Sequence, residues 1–274
     1  MASYSSRTLH TRRGIAFDVR EAGGGTPLVF LHGLTGLLEE ERLLDALAEH
    51  YHVFAPTWPG FGEEEGEERI EDMLDFSLHG LDILDALELE RTHLVGHSLG
   101  GMIAAEMACL QNTRIDRLGL LAPFGLWVDE DPIADAFATV PLDLPELFFA
   151  EPEAGQKILT AGFDFTNDEA LTNFMVANAR RMGTAGKVLF PIPNRRLSKR
   201  LYRLTAQTLV VWGSEDALIP PVYGEHWVKR IDRAERVEVA HAGHMLTCER
   251  PVEVAEALVE FLGGSRKGGS WQSS

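Results

Sequence analysis

The chain has 274 residues, a formal net charge of −17 at pH 7, 45% hydrophobic residues and 24% charged residues. That length suits one large α/β domain or two small ones, and the composition is that of a soluble globular protein. The acidic residues are spread along the chain, which argues against the basic face of a nucleic-acid binder and against anionic partners.

The two cysteines, Cys109 and Cys248, lie far apart and form no disulfide framework or redox pair. The opening residues lack the apolar stretch of a signal peptide, and no run reaches membrane-spanning length. The expectation is a cytoplasmic protein with no nucleic-acid and no membrane partner. A homo-oligomer is left open.

Residues 7–21 read as two short strands, with Ile15 to Arg20 alternating apolar and polar and Arg13-Gly14 making the turn. Residues 27–31 form a continuous apolar run, the pattern of a strand buried on both faces. It ends in His32-Gly33-Leu34-Thr35-Gly36. In a glycine-flanked turn at a strand end, backbone N–H groups face a ligand, and the N–H of Leu34 is a candidate oxyanion donor. The other reading is a plain strand–helix turn. His32 is read as ordering this loop rather than transferring protons.

A helix is expected over residues 38–49 and a strand over 52–55. The following loop carries Trp58 and Phe61, which either line a pocket or pack the loop down. The acidic run 63–68 reads as a solvated loop, and a helix follows over about 70–87.

Next comes the stretch Leu94-Val95-Gly96-His97-Ser98-Leu99-Gly100-Gly101, with an apolar, alanine-rich run from Met102 to Ala108 behind it. A buried strand thus meets a helix at Ser98, and Gly96 and Gly100 permit a turn too tight for side chains. This is the Gly-x-Ser-x-Gly nucleophile elbow in its strand–turn–helix setting. It exposes the serine oxygen at the sheet's end and places the N–H of Leu99 at a helix N-terminus, where it can hold an oxyanion.

Residues 115–121 read as another strand, so strands and helices alternate in the manner of a parallel sheet with right-handed crossovers. Between about 126 and 202 the rhythm changes to prolines and amphipathic helical pieces, at 143–149, 152–162 and 168–182. The block reads as a lid over the strand ends. Leu147, Phe148, Phe149, Phe163, Phe165 and Phe174 supply apolar surface for a pocket or for packing the lid itself.

The sheet resumes at 208–213, followed by Ser214-Glu215-Asp216. A helix over 221–230, a strand over 236–239, the loop His241-Ala242-Gly243-His244-Met245 and a helix over 251–262 close the fold. A serine nucleophile needs a base and an orienting carboxylate, in the order serine, acid, histidine for this kind of sheet. Asp216 and His244 satisfy that order. His241 is a rival base, and Glu215, Asp129 and Asp131 are rival acids. His97 is expected to point away from the serine.

His32-Gly33 with Gly36, the elbow at 96–101, Trp212-Gly213 with Asp216, and Gly243-His244 together resemble the α/β-hydrolase fold family, of the lid-bearing esterase and C–C hydrolase type. The resemblance spans nearly the whole chain. It implies a mostly parallel sheet of about eight strands flanked by helices, with a helical lid after the sixth. The core is then 1–125 and 203–263, the lid 126–202 and a flexible tail 264–274. It also favours His244 over His241.

Ser98 sets the chain apart from the dehalogenases and epoxide hydrolases of this fold, which carry an aspartate at the elbow. The C–C hydrolases typically have a tryptophan after the histidine and a glycine-proline-rich oxyanion loop, where this chain has Met245 and Leu34-Thr35.

The expected activity is ester hydrolysis through an acyl-enzyme. The predicted catalytic residues are Ser98, Asp216 and His244, and the predicted oxyanion donors are Leu34 and Leu99. The alternatives are C–C cleavage of meta-cleavage products, a cofactor-free haloperoxidase or lactonase activity, and a non-catalytic ligand receptor on the same fold. No metal or cofactor is expected: no His-Glu-x-x-His pair and no intact dinucleotide or phosphate loop occurs. Glu39, Glu40 and Glu41 near the oxyanion loop, with the lid phenylalanines, point to a neutral, apolar small-molecule ester.

Overall fold

The structure is a computed structural model that describes residues 4–140, 143–160, 166–190 and 196–264. Phe163, Phe165 and the expected tail from residue 265 lie outside the described residues.

Eight strands form one sheet in the order β1-β2-β4-β3-β5-β6-β7-β8. They are β1 Ser5–His10, β2 Ala16–Gly23, β3 Pro27–Leu31, β4 His52–Pro56, β5 Thr92–His97, β6 Ile115–Leu121, β7 Gln207–Gly213 and β8 Ala234–Val239. β2 runs antiparallel to both β1 and β4. The other pairs are parallel. Burial explains this order: every residue of β5 is buried, whereas β1 at the edge is almost wholly exposed.

The helices are α1 Arg42–Ala48, α2 Met73–Ala86, α3 Leu99–Leu110, α4 Leu144–Phe148, α5 Pro152–Leu159, α6 Asp168–Leu189, α7 Tyr223–Val228, α8 Leu246–Glu249 and α9 Pro251–Leu262. α1 packs on α9 and α2 on α3, and α3 lies against β5 and β6. α3 is buried from Leu99 to Cys109, which its alanines, glycines and methionines allow. No helix among the described residues is long and apolar enough to cross a membrane.

Three of the boundaries that differ from the sequence reading have an identifiable cause. α2 starts at Met73 because the Asp72 carboxylate caps it, accepting from the N–H groups of Leu74 and Asp75. α1 starts late because the Glu41 carboxylate first closes a turn on the N–H of Leu38 at 2.7 Å. α6 runs past Gly183 to Leu189, held by the burial of Thr184, Ala185, Val188 and Leu189.

The segment between β6 and β7 contains α4, α5 and α6 and, among the described residues, no strand. α6 reaches back to the acidic run, and here the solvated-loop expectation needs correcting. Arg180 on α6 donates to both Glu67 carboxylate oxygens at 2.6 and 2.8 Å, and to the carbonyls of Gly62 and Glu64. Lys187 donates to the carbonyl of Ile70 at 2.9 Å. The loop is therefore a dock for α6.

Candidate active site

β5 delivers Ser98 to the end of the sheet in a strained turn, with φ 57° and ψ −117°, and α3 begins at the next residue. Ser98 has no exposed surface. The N–H of Ser98 donates to the Leu121 carbonyl, and its carbonyl accepts from Met102 and Phe124. The main chain on both sides is thus tied down, which sustains a conformation costing about 1–3 kcal/mol.

β7 delivers Asp216. Its Oδ1 accepts from the N–H groups of Leu218 at 3.0 Å and Ile219 at 2.9 Å, closing a tight turn. The Trp212 indole holds the far side of that turn by donating to the Ile219 carbonyl at 3.1 Å. This leaves Oδ2 to face His244, 2.9 Å from its Nδ1. The other ring nitrogen, Nε2, lies 2.8 Å from Ser98 Oγ. A carboxylate only accepts, so Nδ1 carries the ring proton and the Nε2 lone pair faces the serine hydroxyl. Asp216 and His244 are themselves buried. The chain Asp216–His244–Ser98 can therefore draw a proton from the serine and stabilise the imidazolium that forms.

The rivals lie elsewhere. His241 pairs with Glu215 at 3.1 Å, with side chains 80% and 48% exposed. Asp129 accepts from the Trp127 indole, and the carbonyl of Asp131 accepts from the Tyr223 hydroxyl.

Two further imidazoles support the site without competing for the proton. His97 turns away from Ser98, and its Nε2–H donates to the main-chain carbonyl of His244 at 2.8 Å. His32 accepts from the Trp58 N–H at Nε2 and donates from Nδ1 to the Gly33 carbonyl. Burial pushes the pKa of His97 down to about 3 and that of His32 to about 4, so both stay neutral. Trp58 is buried against Phe76 and His79, so it packs this loop down, and Phe61 lies on the His32 ring.

Gly33 lies against Ser98: a Cβ there would stand 2.9 Å from Ser98 Cβ. This brings the turn closed by the Gly36 N–H to the Gly33 carbonyl, with Leu34 inside it, beside the serine. Leu99 opens α3, where first-turn N–H groups have no intrahelical acceptor. The rings of Phe124 and Phe148 stand 6.0 and 6.2 Å from that of His244.

Two residues that no sequence motif marks stand here. Arg181 on α6 donates to the Thr35 carbonyl at 2.9 Å, and its buried Nε has no partner among the described residues. Glu249, at the end of α8, bonds the loop of His244. Neither belongs to a local pattern; only the fold brings them in.

A family model described as the alpha/beta hydrolase family matches residues 28–257. The 2-hydroxymuconate semialdehyde hydrolase of Pseudomonas sp. (strain CF600) is 28% identical over 262 residues, 91% of each chain. A solved bacterial membrane phospholipase A matches with TM-score 0.79 at 22% identity, covering 97% of this chain and 87% of that one. A meta-cleavage product hydrolase from Pseudomonas fluorescens IP01 matches with TM-score 0.76 at 23% identity, covering 95% and 98%. Both structural likenesses are likenesses of fold.

Proposed function

The chain belongs to the alpha/beta hydrolase family, and we propose that it is a serine hydrolase of carboxylic esters. One observation carries this reading: the unbroken hydrogen-bonded chain from Asp216 through His244 to Ser98. Ser98 attacks the carbonyl carbon while His244 takes its proton. Asp216 holds the imidazole and offsets its charge. The N–H groups of Leu34 and Leu99 receive the oxyanion, each worth about 10²–10³ in rate. His244 returns the proton to the leaving alkoxide, and water then hydrolyses the acyl-enzyme by the same route. The segment 126–202 serves as the lid, and apolar surface from Phe124 and Phe148 favours a neutral acyl group.

A second reading has a specific observation behind it. The Arg181 guanidinium lies beside the oxyanion loop without a carboxylate partner among the described residues. A substrate with its own carboxylate would supply one, as the semialdehyde named for the Pseudomonas relative does. That favours cleavage of a carbon–carbon bond in a vinylogous diketone acid by the same triad.

Kinetics on aryl esters of graded acyl length, alongside such a diketone acid, separates the two. The ester reading expects the highest kcat/KM on a neutral aryl ester. A higher value on the diketone acid, lost in Arg181→Gln, would replace it with carbon–carbon cleavage.

A further inference from the structure

We propose that Glu249 is a positioning residue that fastens the segment between α4 and α5 to the loop of His244 and so holds the imidazole on Ser98. This deepens the reading of His244 as the base and rests on it. Oε1 of Glu249 accepts from the Ala150 N–H at 2.8 Å, and Oε2 accepts from the Gly243 N–H at 2.8 Å. The N–H of Glu151 bonds the same carboxylate. One carboxylate thus spans the junction between the inserted segment and the residue before His244.

A second bond crosses the same junction without it: the Met245 N–H donates to the Phe148 carbonyl at 2.8 Å. The N–H groups on both sides of His244 therefore end on the insertion, or on a carboxylate bonded to it. The carbonyl of His244 itself is taken by His97.

The two segments meet main chain to main chain. A Cβ at Gly243 would lie 2.7 Å from the Ala150 nitrogen and 2.8 Å from the Phe149 carbonyl carbon, so a side chain there would force them apart. Seating residues 148–151 and placing the base are consequently one event. Placement matters because an error of about 1 Å in a reacting group can cost about 10²-fold in rate. Only a carboxylate meets this demand, since both of its oxygens accept N–H groups. An amide offers one acceptor and turns an NH₂ against the other N–H.

The test uses the full chain carrying Glu249→Gln, at a temperature well below its unfolding. The rate of labelling by a fluorophosphonate is measured together with kcat and KM on the best substrate of the panel. The low-field proton resonance of the His244 Nδ1–H bond to Asp216 is recorded as well. Expected are falls of about 10- to 100-fold in labelling rate and kcat, KM within about threefold of wild type, and a broadened or shifted resonance.

A lowered Tm with labelling, kcat and resonance unchanged would overturn the proposal and leave Glu249 as ordinary packing. If Glu249→Gln does not fold, Gly243→Ala opens the same junction from the other side and carries the same expectations. Labelling reads the proposal without an ester: a wild type that is labelled but turns over only the diketone removes the ester reading and leaves this test intact. A wild type that no fluorophosphonate labels sinks the triad, and Glu249 with it.

Discussion

The sharp turn that sets Ser98 against His244 is held at a cost in backbone strain. A non-glycine residue at φ 57° and ψ −117° costs about 1–3 kcal/mol. Glycine recovers most of that and loses about 0.5–1 kcal/mol to chain entropy. Ser98→Gly is therefore expected to be more stable in urea than Ser98→Ala by about 1 kcal/mol, with both inactive. Equal midpoints would mean the strain is no larger than glycine's entropy cost. Asp216→Asn keeps the shape but turns the amide against His244, and is expected to lower kcat by about 10⁴ with Tm little changed.

The glycines around Ser98, the carboxylate just after β7 and the histidine after β8 could be read from the sequence because each is a local pattern. That His97 turns away from Ser98 was legible too; its partner, the His244 carbonyl, and the tie of Glu249 to Ala150 were not, since these are main-chain atoms far away in the chain.

Among the elements, α6 shows best where reading from sequence stops. Its N-terminus was legible, and Asn167 caps it by accepting from Glu169 and Ala170. Its extension past Gly183 was not, because buried contacts outweigh glycine's cost of about 1 kcal/mol in a helix. The acidic run at 63–68 looked solvated for a similar reason: nothing nearby in sequence reveals that Arg180 binds Glu67.

Arg180→Ala is expected to speed proteolytic cleavage within residues 62–68 severalfold, at a stability cost below about 2 kcal/mol because the pair is partly exposed. Arginine's hydrogen bonds hold the Glu67 pKa down to about 2, below the usual 4.5. Its contribution is therefore present above pH 4.5 and fades as pH falls toward 2. Unchanged cleavage in the variant would show that α6 docks by other contacts.

For the molecule as a whole, buried neutral imidazoles set an acid limit. His79 has no exposed surface, and neither ring nitrogen has a partner among the described residues. Burial pushes its pKa down to about 4. The unfolded chain takes up this proton first, near pH 6.5, so folding stability falls as pH drops from about 6.5 toward 4, by up to about 1.4 kcal/mol per pH unit for such a group. His79→Leu removes the group and two orphaned polar atoms together. It is expected to raise the urea midpoint at pH 5 and to flatten its dependence between pH 6.5 and 4. A slope equal to that of wild type would mean His79 finds a partner.

The alternating β/α order and the inserted helices were legible from hydrophobic period and turn residues, and the eight-stranded sheet was an expectation only through the resemblance carried by the motifs. How the insertion is tied to the core was not, because its ties join residues distant in the chain, Arg180 to Glu67 and Ala150 to Glu249 among them.

The proposed hydrolase activity depends on Ser98 being an activated nucleophile. Mass spectrometry after exposure to a fluorophosphonate tests this directly. One adduct per chain is predicted, on the peptide containing Ser98, absent from Ser98→Ala and slowed at least about 10³-fold in a His244→Ala chain. No adduct, or an adduct on another residue, would contradict it.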